Sequence, residues 1–272
     1  MTLSIVIPTT HRVYPVKRLL GEIEASCPLQ WTVTIVDNGP NANLVDWGEE
    51  LAERVIVRNS YLGSEQAFLL GLRSAPEATW YLFLDHDAQL QGDTLPILFS
   101  AAEDTDATYS CNQNGDGSSW DRQNGRAPAA RNVMTRVISI KFAPWSGLLL
   151  GSRGAQVIRS HDSGLFFYWD DYLVCWLIAR AGIKIWGVPA AVVENENIAY
   201  DQLSPWRAYY KARNNILFYR DTGHGSIVEL TLVQGKDLFT ALIHLRLNRF
   251  RAVCMGIFDG VRNQRGPRMT PL

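Results

Sequence analysis

Two pairs of carboxylates stand out in this chain. Asp85-His86-Asp87 follows the apolar run Tyr81-Leu82-Phe83-Leu84, and Trp169-Asp170-Asp171 precedes an apolar stretch from Tyr172 to Arg180. Two acids one residue apart cannot both bury their charge unpaired, whereas a Mg²⁺ or Mn²⁺ held by one or two of them bridges to the oxygens of a diphosphate. An Asp-rich turn after a strand is the plain alternative for the first pair. For the second it is a helix start, where acids are favoured. Neither spacing decides the matter alone.

The elements around these acids are those of an α/β domain. Four apolar residues in a row at 81–84 suit a strand covered on both faces, and ligands of open α/β sheets gather outside the carboxyl ends of such strands. Leu3 to Ile7 predicts a first strand, broken by Pro8-Thr9-Thr10 and followed by an amphipathic run from Val13 to Glu24. Trp31 to Val36 predicts a second strand that ends in the turn Asp37-Asn38-Gly39-Pro40. Val55 to Val57 predicts a third, and Ser64 to Ser74 a helix. Alternation of strands and helices implies a parallel, doubly wound sheet over about the first hundred residues.

Composition bounds the function loosely. The 272 residues carry a net charge of −1 with 19% charged residues, so bulk electrostatics argue neither for nor against nucleic acid. Four scattered cysteines show no metal spacing, and Cys175 and Cys254 are expected to be buried thiols in a reducing cytoplasm. No leader and no membrane span is expected. Nine tryptophans suit stacking on sugar rings or filling a core.

Beyond residue 110, the polar segment Cys111–Arg131 reads either as a mobile loop over a site or as an irregular surface excursion. Val137 to Ile140 resumes a strand, and Phe142 to Gly147 turns into the apolar run 148–150. A helix from Tyr172 ends at the C-cap Ala181-Gly182, and a strand follows from Ile183 to Pro189. Pro205 opens a helix containing Tyr209, Tyr210, Arg213 and Asn214, and a second helix is expected from Lys236 to Asp259. From Lys236 onward seven Lys/Arg face two Asp, which suits either an anionic membrane face or a solvated helix face.

Ile5-Val6-Ile7-Pro8-Thr9, Val36-Asp37-Asn38-Gly39, Asp85-His86-Asp87 and Trp169-Asp170-Asp171 occur in an order and spacing that resembles glycosyltransferase family 2, inverting enzymes of the GT-A fold, over roughly residues 2 to 220. Trp169-Asp170-Asp171, Tyr209 to Asn214 and Gly256 to Gly260 are most similar to galactofuranosyl- and rhamnosyltransferases. The resemblance implies a Rossmann-like nucleotide-binding half at about 1–110, an acceptor half at about 111–204 and a mixed central sheet. A C-terminal helical extension follows at 205–272. It implies that Pro8, Thr9 and Arg12 line the nucleotide pocket, that Asp37 with Asn38 bonds the base or ribose, and that Gly63, Asp85 and His86 complete the nucleotide-sugar contacts. Turn or capping roles for Thr9 and Asp37 stay open.

By the same resemblance Asp87 is the direct ligand of Mg²⁺ or Mn²⁺ and Asp85 faces the ribose or the metal. Glu194 stands where the family's metal site adds a histidine, and as a hard oxygen ligand for Mg²⁺ or Mn²⁺ it is the candidate to replace it, the alternative being a lost third ligand. Asp171 is the general base; Asp170 either binds acceptor hydroxyls or raises the pKa of Asp171. Trp145, Ser146, Gly147, Trp169 and Arg213 fall on the acceptor side. There the tryptophans stack on sugar or pack the core, and Arg213 pairs with a diphosphate or an internal acid. The expected partners are a UDP- or dTDP-sugar and a glycan, lipid-linked or small-molecule acceptor, with no nucleic acid. The expected location is the cytoplasm or the inner membrane face. A nucleotidyltransferase and a non-catalytic sugar-nucleotide or glycan binder are the rivals. The first usually carries a Gly-rich phosphate loop that Pro8-Thr9-Thr10-His11-Arg12 lacks, and retention of both Asp170 and Asp171 weighs against the second.

Overall fold

The computed structural model describes residues 1–58, 61–113, 137–195 and 204–269. The loop expected at 111–131 lies outside the described residues from 114 onward. The chain divides into two compact units. The first holds Met1–Tyr61, Ala67–His161 and Val174–Glu196. The second holds Leu62–Gln66 and Asp162–Leu173 together with the C-terminal helices. Two short segments from the middle of the chain thus group with its C-terminal part.

In the first unit nine strands form one mixed sheet. Strands β1 (Thr2–Thr9), β2 (Gln30–Asp37), β3 (Val55–Val57) and β4 (Trp80–Phe83) are parallel in the order β3-β2-β1-β4. The chain thus winds outward from β1 in one direction and then returns to its other edge at β4. That reversal is a topological switch point, where ligands of open α/β sheets collect. Register matters to the site, because β1 and β2 pair from Thr2↔Gln30 to Thr9↔Asp37 and so bring Thr9 and Asp37 level.

The helix α1 (Val13–Ser26) buries Val16, Leu19, Leu20 and Ile23 at helical spacing, in one cluster with Leu3, Ile5 and Ile7 of β1. The remaining strands are β5 (Gln89–Leu90), β6 (Thr108–Gln113), β7 (Ile138–Ser139), β8 (Leu148–Gly151) and β9 (Ile185–Glu194). Strand β8 is antiparallel to β4 and β6, β9 is parallel to β6, and β5 and β7 flank β9 antiparallel. Strand β6 has no apolar signature. It buries Thr108, Ser110 and Asn112, and the Asn112 amide is satisfied by the Pro189 carbonyl at 3.2 Å.

The other α-helices among the described residues are α2 (Glu49–Ala52), α3 (Ser64–Ser74), α4 (Thr94–Ala101), α5 (Ser152–Arg159), α6 (Asp170–Arg180), α7 (Pro205–Thr222), α8 (Ile227–Ile243) and α9 (Leu247–Val261). The single helix expected over 236–259 is two. Leu245 takes φ +52 and the Arg246 amide closes on the Ala241 carbonyl at 2.8 Å. This left-handed termination usually carries Gly or Asn; a leucine there leaves no sequence signal. Cys175 is buried as expected, whereas Cys254 is exposed on α9.

Candidate functional site

At the carboxyl ends of β1 and β2, Asp37 is fully buried and its charge is met by three donors. Trp47 Nε1 donates to Oδ2 at 2.9 Å, His11 Nδ1 to the same oxygen at 2.6 Å, and the Gly39 amide to Oδ1 at 3.3 Å. His11 Nε2 reaches Asp46 Oδ2 at 2.8 Å. An imidazole with a carboxylate at each nitrogen donates to both only as the cation, and hydrogen bonding to Asp37, then to Asp46, raises its pKa.

Thr9 plays the turn role, since its Oγ1 accepts from the Arg12 amide at 3.0 Å. Pro8 is buried beside it and Arg12 is exposed. Asn38 is 2% exposed, and its Oδ1 has no hydrogen-bond partner among the described residues. A buried, unpaired acceptor is costly unless something donates to it.

At the end of β4, Asp85, His86 and Asp87 are all half-buried. The Asp85 amide donates to Ser146 Oγ at 3.2 Å, Ser146 Oγ donates to Asn195 Oδ1 at 3.3 Å, and Asn195 Nδ2 donates to Asp85 Oδ2 at 3.2 Å. This closed triangle fixes Asp85. Among the described residues no side chain hydrogen-bonds or ion-pairs with the Asp87 carboxylate, which leaves it available as a ligand. Glu194 is exposed at the end of β9, and it is the next residue, Asn195, that reaches Asp85. Alternation along an extended chain places successive side chains on opposite faces, so Glu194 and Asn195 diverge. Among the described residues no three His, Cys, Asp or Glu cluster as a metal cage. Two half-buried carboxylates suit a hard cation that takes its other ligands from phosphate and water.

In the second unit Asp170 and Asp171 occupy the first turn of α6. Ser64 Oγ donates to Asp170 Oδ2 at 2.8 Å, and the Tyr172 amide donates to Asp171 Oδ1 at 2.9 Å. The strap before them, residues 163–169, holds Phe166, Tyr168 and Trp169 at φ +73, +65 and +70. Positive φ at each such residue costs about 1–3 kcal/mol. The surroundings must supply that.

Glu65 takes the strap's donors: the Ser163 amide and hydroxyl bond to Oε1 and the Leu165 amide bonds to Oε2. Burial, with the Asp170 charge in addition, pushes the Glu65 carboxyl up to about 7 against the lowering effect of the Ser163 and Leu165 donors. Gly63 takes φ +82, and a β-carbon there would strike the Phe166 carbonyl. Its visible role is to let the strap pass close.

Three residues expected on the acceptor side are engaged in packing and hydrogen bonds within the protein. Trp145 is 5% exposed, stacked on Phe68 at 4.8 Å and 15° with Phe83 tilted at 5.1 Å, so core packing takes its ring. Gly147 sits at φ +85 with its amide on the Phe83 carbonyl, and a β-carbon would lie 2.7 Å from Cys111 Cβ. Arg213 is fully buried, and among the described residues it forms no salt bridge with an acid. Its Nη1 and Nη2 donate to the carbonyls of Gly266 and Leu165 at 2.6 and 2.7 Å, and its guanidinium lies over Tyr210. Ser146 supports Asp85. Trp169 is half-buried against Tyr172 and Phe218.

Residues 4–158, more than half of the chain, match the sequence family Glycosyl transferase family 2. The chain belongs to glycosyl transferase family 2. Its α/β domain, with a mixed sheet and C-terminal helices, has the GT-A fold. Solved structures similar to this family 2 chain include GalNAc-T7 with UDP, GalNAc and Mn²⁺ (TM-score 0.61, 15% identity), a match that covers 87% of this chain but 54% of the other. A second is the mannosyltransferase PcManGT from Pyrobaculum calidifontis in complex with GDP-Man and Mn²⁺ (TM-score 0.60, 11% identity, 97% of this chain and 88% of the other). A third is S. aureus TarS 1–349 in complex with UDP-GlcNAc (TM-score 0.53, 13% identity, 97% and 93%). The chain thus spans about half the length of the GalNAc-T7 chain. No curated protein matches the sequence.

Sequence reasoning missed His11, Trp47 and Asn195 as the residues that bond Asp37 and Asp85 in the first unit, and Glu65 and Asn214 as those that bond the 163–169 strap in the second. His11 adjoins a recognised motif and carried a local signal. Asn195 and Glu65 meet their partners 110 and 98 residues away, so only the fold brings them together.

Proposed function

We propose that the chain transfers a sugar from a nucleoside-diphosphate sugar to an acceptor hydroxyl, with inversion at the anomeric carbon. The observation that carries this reading is the set of polar groups at the β1–β4 switch point: buried Asp37, the unpaired Asn38 Oδ1, and Asp85 and Asp87. Buried acceptors suit ring N–H and ribose hydroxyl donors, and the two acids suit a cation with a diphosphate. The UDP, UDP-GlcNAc and GDP-Man bound to similar folds support a nucleotide donor, for which UDP or dTDP is our assignment, with a furanose or deoxyhexose sugar.

Asp87, aided by Asp85, would hold Mg²⁺ or Mn²⁺, with Asn195 as the neighbour that orients Asp85. When bound, the ion supplies Lewis-acid stabilisation of the departing diphosphate. In the transfer the Asp171 carboxylate takes the proton from the acceptor hydroxyl. The hydroxyl oxygen bonds to the anomeric carbon while the bond from that carbon to the diphosphate oxygen breaks, and the nucleoside diphosphate leaves with the electron pair. Asp170 serves the acceptor hydroxyls.

The acceptor is a glycan, a lipid-linked sugar or a small molecule, and the protein meets an anionic membrane face through α8 and α9. Ten large apolar residues between Ile227 and Val261 are exposed. Of the segment's acids, Asp237 and Asp259 are buried against Lys211 and Arg268 and Glu229 is exposed, while Lys236 and Arg251 are exposed and Arg246 is half-buried. An apolar surface with net positive charge fits anionic headgroups. Among the described residues no helix is long and apolar enough to cross a membrane.

The test is a thermal-shift screen of UDP-, dTDP- and GDP-sugars with and without Mn²⁺, followed by transfer assays on wild type and Asp171→Asn with the product anomer read by NMR. Loss of turnover of about 10²- to 10⁴-fold with donor binding retained is expected. A retained anomer, or near-normal turnover in the variant, would overturn the inverting base assignment.

A further inference from the structure

The strap 163–169 reaches the acid pair through three non-glycine residues at positive φ, and two buried side chains, Glu65 and Asn214, take several of its polar groups. Its amides at Ser163 and Leu165 go to Glu65. Three of its carbonyls converge on one side chain, while those of Ser163, Gly164 and Trp169 accept from Arg265 and from the Gly266 and Leu173 amides. Asn214 Nδ2 lies 2.7, 2.6 and 3.1 Å from the carbonyl oxygens of Leu165, Phe167 and Tyr168, and its two N–H groups are shared among the three. Asn214 Oδ1 in turn accepts from Arg213 Nε at 2.8 Å, which settles which end of the carboxamide faces the strap. Asn214 is fully buried. A lysine in its place would bring an unpaired charge, and glutamine would be a methylene too long, whereas a neutral amide supplies donors at no charge cost.

We propose that Asn214 is a positioning residue for glycosyl transfer. By gathering three carbonyls it holds the strained strap in the one conformation that presents Asp171 at the head of α6, and Arg213 acts by orienting Asn214. The proposal rests on Asp171 as the base. The strap needs such a clamp because aromatic residues leave positive φ readily once released. A base displaced by an ångström loses most of its effect.

The experiment uses the full chain with Asn214→Ala and Asn214→Asp, each alone and combined with Tyr168→Gly, which makes positive φ permissible without a clamp. In Asn214→Ala we expect kcat to fall about 10- to 100-fold, with the affinity for UDP or the donor found by screening held within about twofold. Hydrogen exchange of amides 165–171 should speed up. Adding Tyr168→Gly should recover about threefold or more of the lost kcat and slow that exchange again.

Unchanged kcat in Asn214→Ala overturns the proposal. So does a joint fall of kcat and donor affinity with no recovery at 168, the mark of a packing residue. Should Asn214→Ala fail to fold, the double variant decides: restored folding supports the clamp, and continued failure refutes it. If Asp171→Asn keeps its turnover, the base assignment fails while the exchange readout still judges the clamp.

Discussion

His11 and the buried Asp37 form a 2.6 Å ion pair at the ends of β1 and β2, and the same imidazole reaches Asp46 at 2.8 Å on its other side. One cation therefore ties two carboxylates together beside the expected nucleotide site. Its pKa stands above the ordinary 6.5, chiefly through the hydrogen bond to Asp37. A histidine raised in the folded state stabilises fully below its unfolded pKa, and that contribution is lost as pH rises through the folded value. Titration of the His11 ring resonance by NMR should give a midpoint above 6.5, lowered more by Asp37→Asn than by Asp46→Asn. A wild-type midpoint at or below 6.5 would show that the pair does not hold in solution.

Glu65 shifts the pH dependence in the same sense by a different cause. Burial raises its carboxyl to about 7, so the folded protein holds that proton more tightly than the unfolded chain does. Its contribution to stability is complete below about 4.5 and falls as pH rises through about 7. Denaturant midpoints should therefore drop between pH 5.5 and 8 in the wild type and drop less in Glu65→Gln. Identical slopes in the two proteins would remove Glu65 from the account.

The donor site predicts a ranking of variants. Asp87→Asn should weaken Mn²⁺-dependent binding of UDP or the preferred diphosphate by more than about tenfold with the fold retained. Asn195→Ala should weaken it further than Glu194→Ala, because Asn195 is the residue bonded to Asp85. Calorimetry that finds equal diphosphate affinity with and without Mn²⁺ argues against metal at these acids.

Trp145 separates stability from acceptor recognition. Its ring lies between Phe68 and Phe83, so Trp145→Ala should cost about 3–5 kcal/mol of stability, while the acceptor KM of the folded fraction stays unchanged. A raised KM at unaltered stability would return Trp145 to the acceptor side.

For the helices α8 and α9, sedimentation with phosphatidylglycerol vesicles should pull the protein down, with little binding to phosphatidylcholine and release at high salt. Phe239→Ser with Leu242→Ser should abolish binding. Self-association in place of vesicle binding, seen by analytical ultracentrifugation, would assign the exposed apolar face to a second copy of the chain.

What the sequence determined by itself was local. Apolar runs that end abruptly in Pro8-Thr9, Asp37-Asn38 and Asp85-His86-Asp87 announce buried strands with polar carboxyl ends, because strand burial and turn chemistry are written in adjacent residues. The helix head at Asp170-Asp171 was legible for the same reason. The break at Leu245 and the positive φ of Phe166, Tyr168 and Trp169 were not, since leucine and aromatic residues give no hint of a left-handed backbone that the surroundings impose. Strand β6 escaped notice because its buried Tyr109 and Cys111 alternate with the equally buried Thr108, Ser110 and Asn112, so no apolar run marks it. Tertiary structure also decided what Trp145, Arg213, Glu65 and Asn214 do. Each meets partners tens of residues distant in sequence, and whether an aromatic ring, a guanidinium or an amide serves a ligand or the fold depends on which groups the topology sets against it.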